Sequence, residues 1–143
     1  MAWTTFGFRG QYATVNDGET ILAVYFLIRE IRCGGKEVAG LEPWCADWED
    51  SIIGQGPGIF DPSLDKHLTS DAAVEAFLAL LERAENRLIQ DFGDTVPADY
   101  LNREVPPSGF DFYDYPSARI VRAMHNLRDL VHLGLQEGRE PGE

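Results

Sequence analysis

Between Ser70 and Phe92, the apolar residues Val74, Phe77, Leu78, Leu81, Leu88 and Phe92 recur so that they share one face of a helix. Ser70 or Asp71 opens the segment, Asp71 and Glu75 sit near its positive end, and Gly93 closes it. A helix with a single apolar stripe must bury that stripe, so the rest of the chain has to supply a partner. The stretch from about Pro116 to Leu133 is the natural candidate. Ile120, Met124, Leu127 and Val131 follow one another there at helical spacing, and Gly134 is expected to end the helix. A third element, "ETILAVYFLIREIR" at 19–32, is harder to assign. Its Ile, Val, Tyr and Phe favour a strand, while its length and the capping residues Asn16 and Asp17 favour a helix. We read it as a helix, ended by "CGG" at 33–35.

The remaining segments are short. Residues 3–15 read as a short strand or a pair of strands, and 43–52 as a short helix begun by Pro43. "GQGPG" at 54–58 reads as a loop, and the stretch after Pro97 as one or two helical turns broken at Pro106 and Pro107. The expectation is a helix-rich α+β fold in one compact domain over 1–143, with a small β component near the N-terminus and at 110–115. Residues 135–143 are expected to be a frayed polar tail, and an all-α bundle is the alternative architecture. The longest apolar run, Ile21 to Ile28, is too short to span a bilayer, and "MAWTTFGFRG" lacks the apolar core of a signal peptide. A cytoplasmic protein is expected, with Cys33 and Cys45 as free thiols.

Charge narrows the function further. The chain has 24 acids against 12 Lys and Arg, a net charge of −12. Such a field repels nucleic acid and anionic membrane and speeds encounter with basic partners. Residues 42–65 hold Glu42, Asp47, Glu49, Asp50, Asp61 and Asp65 without a base. This argues against reading the glycines of "GQGPG" as a phosphate loop, and no P-loop lysine follows them. Asp61, Asp65 and His67 do not follow a calcium-loop pattern, and the two cysteines lack the companions of a zinc site. No cofactor or metal is implied.

Arg122, His125, Asp129 and His132 fall on one polar stripe of the last helix. The two histidines are about 10 Å apart along the axis, too far for one mononuclear site. The plain reading is a solvated stripe with local His–Asp pairing. An enzyme reading would require the stripe to face a pocket, and no nucleophile or metalloprotease motif is present to support it.

"SGFDFYDYP" at 108–116 interleaves aromatics with aspartates. As a strand it would turn Phe110, Phe112 and Asp114 to one side and Asp111, Tyr113 and Tyr115 to the other. Phenylalanines in the core would then leave tyrosines and carboxylates to grip a basic protein surface. The candidate binding residues are accordingly Asp47, Glu49, Asp50, Asp61, Asp65, Asp111, Tyr113, Asp114 and Tyr115. The overall profile is small and acidic, without a catalytic signature. It resembles that of bacterial immunity proteins, and the resemblance implies a non-catalytic inhibitor of a basic, nuclease-like toxin. It covers no aligned segment and transfers no residue. The alternatives are a small enzyme using Asp and His beside the 54–58 loop and a nucleic-acid mimic.

Overall fold

A computed structural model describes residues 3–33, 42–55, 62–105 and 111–137. The chain starts with an antiparallel hairpin of β1 (Trp3–Phe8) and β2 (Gln11–Asn16). Its turn residues Arg9 and Gly10 both have positive φ, 50° and 83°, as tight hairpin turns that match strand twist require. Phe6, Phe8 and Val15 are buried, whereas Trp3 and Tyr12 are exposed. The paired-strand form of the 3–15 expectation is therefore the one observed.

The ambiguous 19–32 stretch is helical. It forms α1 (Asp17–Cys33), whose residues from Ile21 to Val24 and from Phe26 to Ile28 are all buried. The dense run of β-favouring apolar residues that made it ambiguous has a simple cause, because a helix covered on nearly every side needs no polar face. Asn16 begins the helix, its Oδ1 accepting from the Glu19 amide at 3.0 Å. After it come α2 (Glu42–Gln55), the short α3 (Leu64–His67) and α4 (Asp71–Phe92). Ser70 caps α4 by accepting from the Ala73 amide, and Gly93 closes it with φ 66°. Then follow β3 (Thr95–Val96), α5 (Ala98–Glu104), β4 (Tyr115–Pro116) and α6 (Ser117–Glu137), with β3 and β4 paired antiparallel. Among the described residues the fold is mostly helical with two small antiparallel sheets, rather than an all-α bundle. Gly54 and Gln55, expected as the start of a loop at 54–58, are instead the last residues of α2; the rest of that loop and the breaks expected at Pro106 and Pro107 lie outside the described residues.

One core cluster draws on the hairpin and all the long helices, from Phe8 of β1 through Trp48 of α2 and Phe77 of α4 to Val131 of α6. The α6 face expected from the sequence is buried at Ile120, Met124, Leu127 and Val131. On α4 the buried set is Val74, Phe77, Leu80, Leu81, Ala84 and Leu88, with Leu78 and Phe92 partly covered. No helix among the described residues is long and apolar enough to cross a membrane.

Gly134 does not end the last helix, which continues to Glu137 and so takes in the first residues of the expected tail. Its role is close approach. A Cβ at this position would lie 2.5 Å from the Phe8 ring and 2.9 Å from the Phe8 carbonyl oxygen. Glycine is what allows α6 to press against β1. Gly134→Ala should therefore destabilise the protein by about 1–3 kcal/mol, although alanine is the better helix former. Urea denaturation measures this, and a neutral or stabilising result would mean that the helix and hairpin can separate freely.

Candidate functional site

The sequence-derived site residues fall into two groups that are tied into different parts of the fold. The first lies along α2 and α3. Asp47 accepts from His67 Nε2 at 2.7 Å and pairs with Lys66 at 3.2 Å, and Glu49 is ion-paired to Arg32 of α1. Asp65 is turned to the hairpin, where its Oδ1 accepts from the Arg9 amide at 2.8 Å. Asp50 is exposed, and no ion pair joins it to any described residue. Asp61 lies outside the described residues. A window of acids without a base is thus locally true, but its partners come from Lys66, just beyond it, and from Arg32, on the preceding helix.

The His67 hydrogen bond, together with Lys66, holds the Asp47 carboxyl below the usual carboxylate range against the opposing effect of burial. A depressed folded-state value stabilises the protein above the ordinary carboxylate range, and that contribution is lost as pH falls through the lowered value. The stability difference between wild type and Asp47→Asn should be constant near neutrality and shrink as pH falls through the carboxylate range to the lowered value. Urea midpoints measured across that range check it. A difference that grows with acid would reverse the assignment.

The second group is built around β3, α5 and β4. Pro97 stands at the N-cap of α5 and has no side-chain acceptor, so Asp114 supplies one from a distance, its Oδ1 accepting from the Ala98 amide at 2.8 Å. Asn102 of α5 acts as a splint. Its Nδ2 donates to the Phe112 carbonyl (2.8 Å) and its Oδ1 accepts from the Phe112 amide (2.9 Å), reproducing a two-bond strand pairing with one side chain. The Phe112 ring is buried while Asp111, Tyr113 and Asp114 are exposed. Phe110, expected beside it in the core, lies outside the described residues.

Tyr115 differs from the sequence expectation. It is buried, at 4% exposure, where a strand of strict alternation would have turned it outward beside Tyr113. The reason is that only Tyr115 and Pro116 pair as strand, and Asp114, which strict alternation puts on the side of Phe112, turns to cap α5. Burial pushes the Tyr115 phenol up to about 12. Its ring instead forms the bed for Tyr113, stacked on it with centroids 5.4 Å apart. The Tyr113 hydroxyl accepts from Arg119 at 2.9 Å, and the Arg119 guanidinium lies 5.0 Å from the Tyr115 ring centroid. Tyr113, at 58% exposure, is accordingly a fixed aromatic rather than a loose one.

Two further carboxylates join this corner that sequence reasoning did not single out. The Asp94 carbonyl accepts from the Ser117 amide at 2.8 Å, which puts Asp94 at the end of the β3–β4 pair, and Asp99 follows the capped Ala98 on α5. Both residues are exposed. The nearby bases each have an acidic partner. Arg103 pairs with Glu104, and Arg119 and Arg122 both pair with Glu19 of α1.

The polar stripe of α6 also behaves differently from its plain reading. His125 bonds across to Glu85 of α4 at 3.0 Å, and Asp129 takes Arg128 instead of a histidine. His125, Arg128 and His132 line a cleft between α4 and α6. Among the described residues no group of three or more His, Cys, Asp or Glu side chains is arranged to hold a metal ion. Cys33 is exposed and Cys45 buried, and neither is bridged. Burial pushes the Cys45 thiol up to about 11, which suppresses its thiolate. Comparison with protein-family models, characterised proteins and solved structures finds no match to this chain.

Proposed function

We propose that this protein is a non-catalytic acidic binding protein that captures a basic protein partner through the β3–α5–β4 corner. In its finer form the reading is an immunity-type inhibitor of a nuclease-like toxin. The observation that supports it most is the corner itself. An exposed tyrosine, held by stacking and by a hydrogen bond, is carried on the same β3–α5–β4 corner as the exposed carboxylates Asp94, Asp99, Asp111 and Asp114. A fixed aromatic loses little entropy when it is covered, and surrounding carboxylates favour Lys and Arg on the other side. Internal pairing of Arg29, Arg32, Lys66, Arg87, Arg119 and Arg122 strengthens the argument, because the net charge of −12 is then expressed by unpaired surface acids.

Asp47, Glu49 and Asp65 are each engaged within the fold, so the reading now rests on Asp111, Tyr113 and Asp114 together with Asp94 and Asp99. The test is capture from a lysate of the source cell with wild type and with a triple variant, Asp111→Asn, Tyr113→Ala and Asp114→Asn. The Asp114→Asn change keeps an oxygen for the Ala98 cap while removing the charge, so the variant should stay folded by circular dichroism. A basic protein retained by wild type and lost by the variant is the expected result. An acidic partner, or a basic one held equally by the folded variant, would contradict the proposal.

A further inference from the structure

The cleft between α4 and α6 has a volume of about 450 Å³. The two helices run antiparallel along it, since Ile89 and Gly93 at the end of α4 share a second hollow with Val121 and Ser117 of α6, while Leu78 and Glu82 lie with Arg128 and His132. At one level the helices are joined by the hydrogen bond between His125 and Glu85. One helical step further along, three residues back on α4 and three forward on α6, Glu82 and Arg128 line opposite walls. The Arg128 Nε donates to Asp129, which leaves its terminal N–H groups toward other acceptors. Leu78, Leu81 and Met124 provide apolar lining.

The charges constrain what such a cleft can hold. A polyanion is repelled by Glu82 and Glu85, and a polycation by Arg128. An uncharged apolar molecule would cover Glu82 and the terminal N–H groups of Arg128 without offering either a partner. A molecule that carries both charges on an apolar body satisfies all three surfaces. We infer that the α4–α6 cleft is a binding site for a small zwitterion of the α-amino acid class, with its ammonium on Glu82, its carboxylate on Arg128 and an aliphatic or thioether side chain against Leu78, Leu81 and Met124. This site is independent of the β3–α5–β4 corner and uses none of its residues.

The chain has only two methionines, Met1 and Met124, so the Met124 methyl resonance can be assigned by a single substitution and reports directly on the cleft. Leucine, methionine and phenylalanine would be titrated in turn into the full-length protein. The controls are isoamylamine, which lacks the carboxylate, and 4-methylpentanoic acid, which lacks the ammonium. At least one amino acid should shift the Met124 methyl saturably below about 10 mM, and both single-charge analogues should bind about tenfold more weakly or worse. Glu82→Gln and Arg128→Gln, both at exposed positions, should each weaken binding by a similar factor while circular dichroism is unchanged. The inference is overturned if no amino acid shifts the methyl in that range. It is equally overturned if either analogue binds as tightly as its parent, or if neither substitution alters the affinity.

Discussion

Replacing Arg119 and Arg122 together by alanine should destabilise the protein by about 3 kcal/mol, near the lower end of what breaking a buried ion pair costs. The carboxylate they serve, Glu19, is only 5% exposed at the start of α1, whereas Arg119 and Arg122 are 31% and 61% exposed. The asymmetry sets the direction of a companion experiment. Glu19→Gln leaves two arginines that can turn to water, so it should cost clearly less than removing both arginines, which strands a buried charge. Urea denaturation of the three proteins decides the matter. If Glu19→Gln proves the more damaging, then the arginines gain more from Glu19 than Glu19 gains from them, and the burial argument fails. The same double variant also removes the Arg119 donor from Tyr113, so the corner should lose order along with stability.

Trp48→Ala should have a comparably large effect, about 3–5 kcal/mol. Trp48 is fully buried and packs against Trp44, His67 and Phe77, which makes it the contact shared by α2, α3 and α4. Its indole N–H donates to the Pro62 carbonyl at 2.8 Å, fixing the entry to α3. Alanine would create a cavity and leave that carbonyl without its donor. Trp48→Phe keeps most of the apolar volume and loses the hydrogen bond, so it should destabilise by about 1–2 kcal/mol, far less than alanine. Equal losses for the two substitutions would mean that the hydrogen bond, rather than packing, holds α2 to α3.

Helices α4 and α6 could be read from sequence because each carries its instruction locally. The stripe of Val74, Phe77, Leu81 and Leu88 and the series Ile120, Met124, Leu127 and Val131 need no knowledge of what lies opposite. Gly134 shows where local reading stops. Glycine marks helix ends and close approaches alike, and only the Phe8 ring lying against it tells the two apart. The 111–116 segment shows the same limit. Alternation assigns sides correctly in a long strand, but here α5, ten or more residues away in sequence, holds the Phe112 backbone through Asn102 and the Asp114 side chain through the Ala98 amide, and Tyr115 is buried. The acids at 42–65 looked unpaired for a related reason, since Arg32 and Lys66 lie outside the window. Asp94 and Asp99 could not be joined to Asp111 and Asp114 without the β3–β4 pairing that brings them to one corner.

Capture of a basic protein by the β3–α5–β4 corner is read out in the association kinetics with that partner. Screening acts over about 8 Å at physiological salt, so the wild-type association rate should fall as salt rises. Asp111→Asn and Asp114→Asn should lower that rate and flatten its salt dependence, because they remove rim charge while the amide oxygen introduced at position 114 preserves the α5 cap. Tyr113→Ala should act mainly on dissociation, weakening binding by about 2 kcal/mol or more as loss of a central aromatic anchor does. An association rate insensitive to salt and to both Asp→Asn substitutions, with dissociation unchanged by Tyr113→Ala in a folded protein, would contradict the claim.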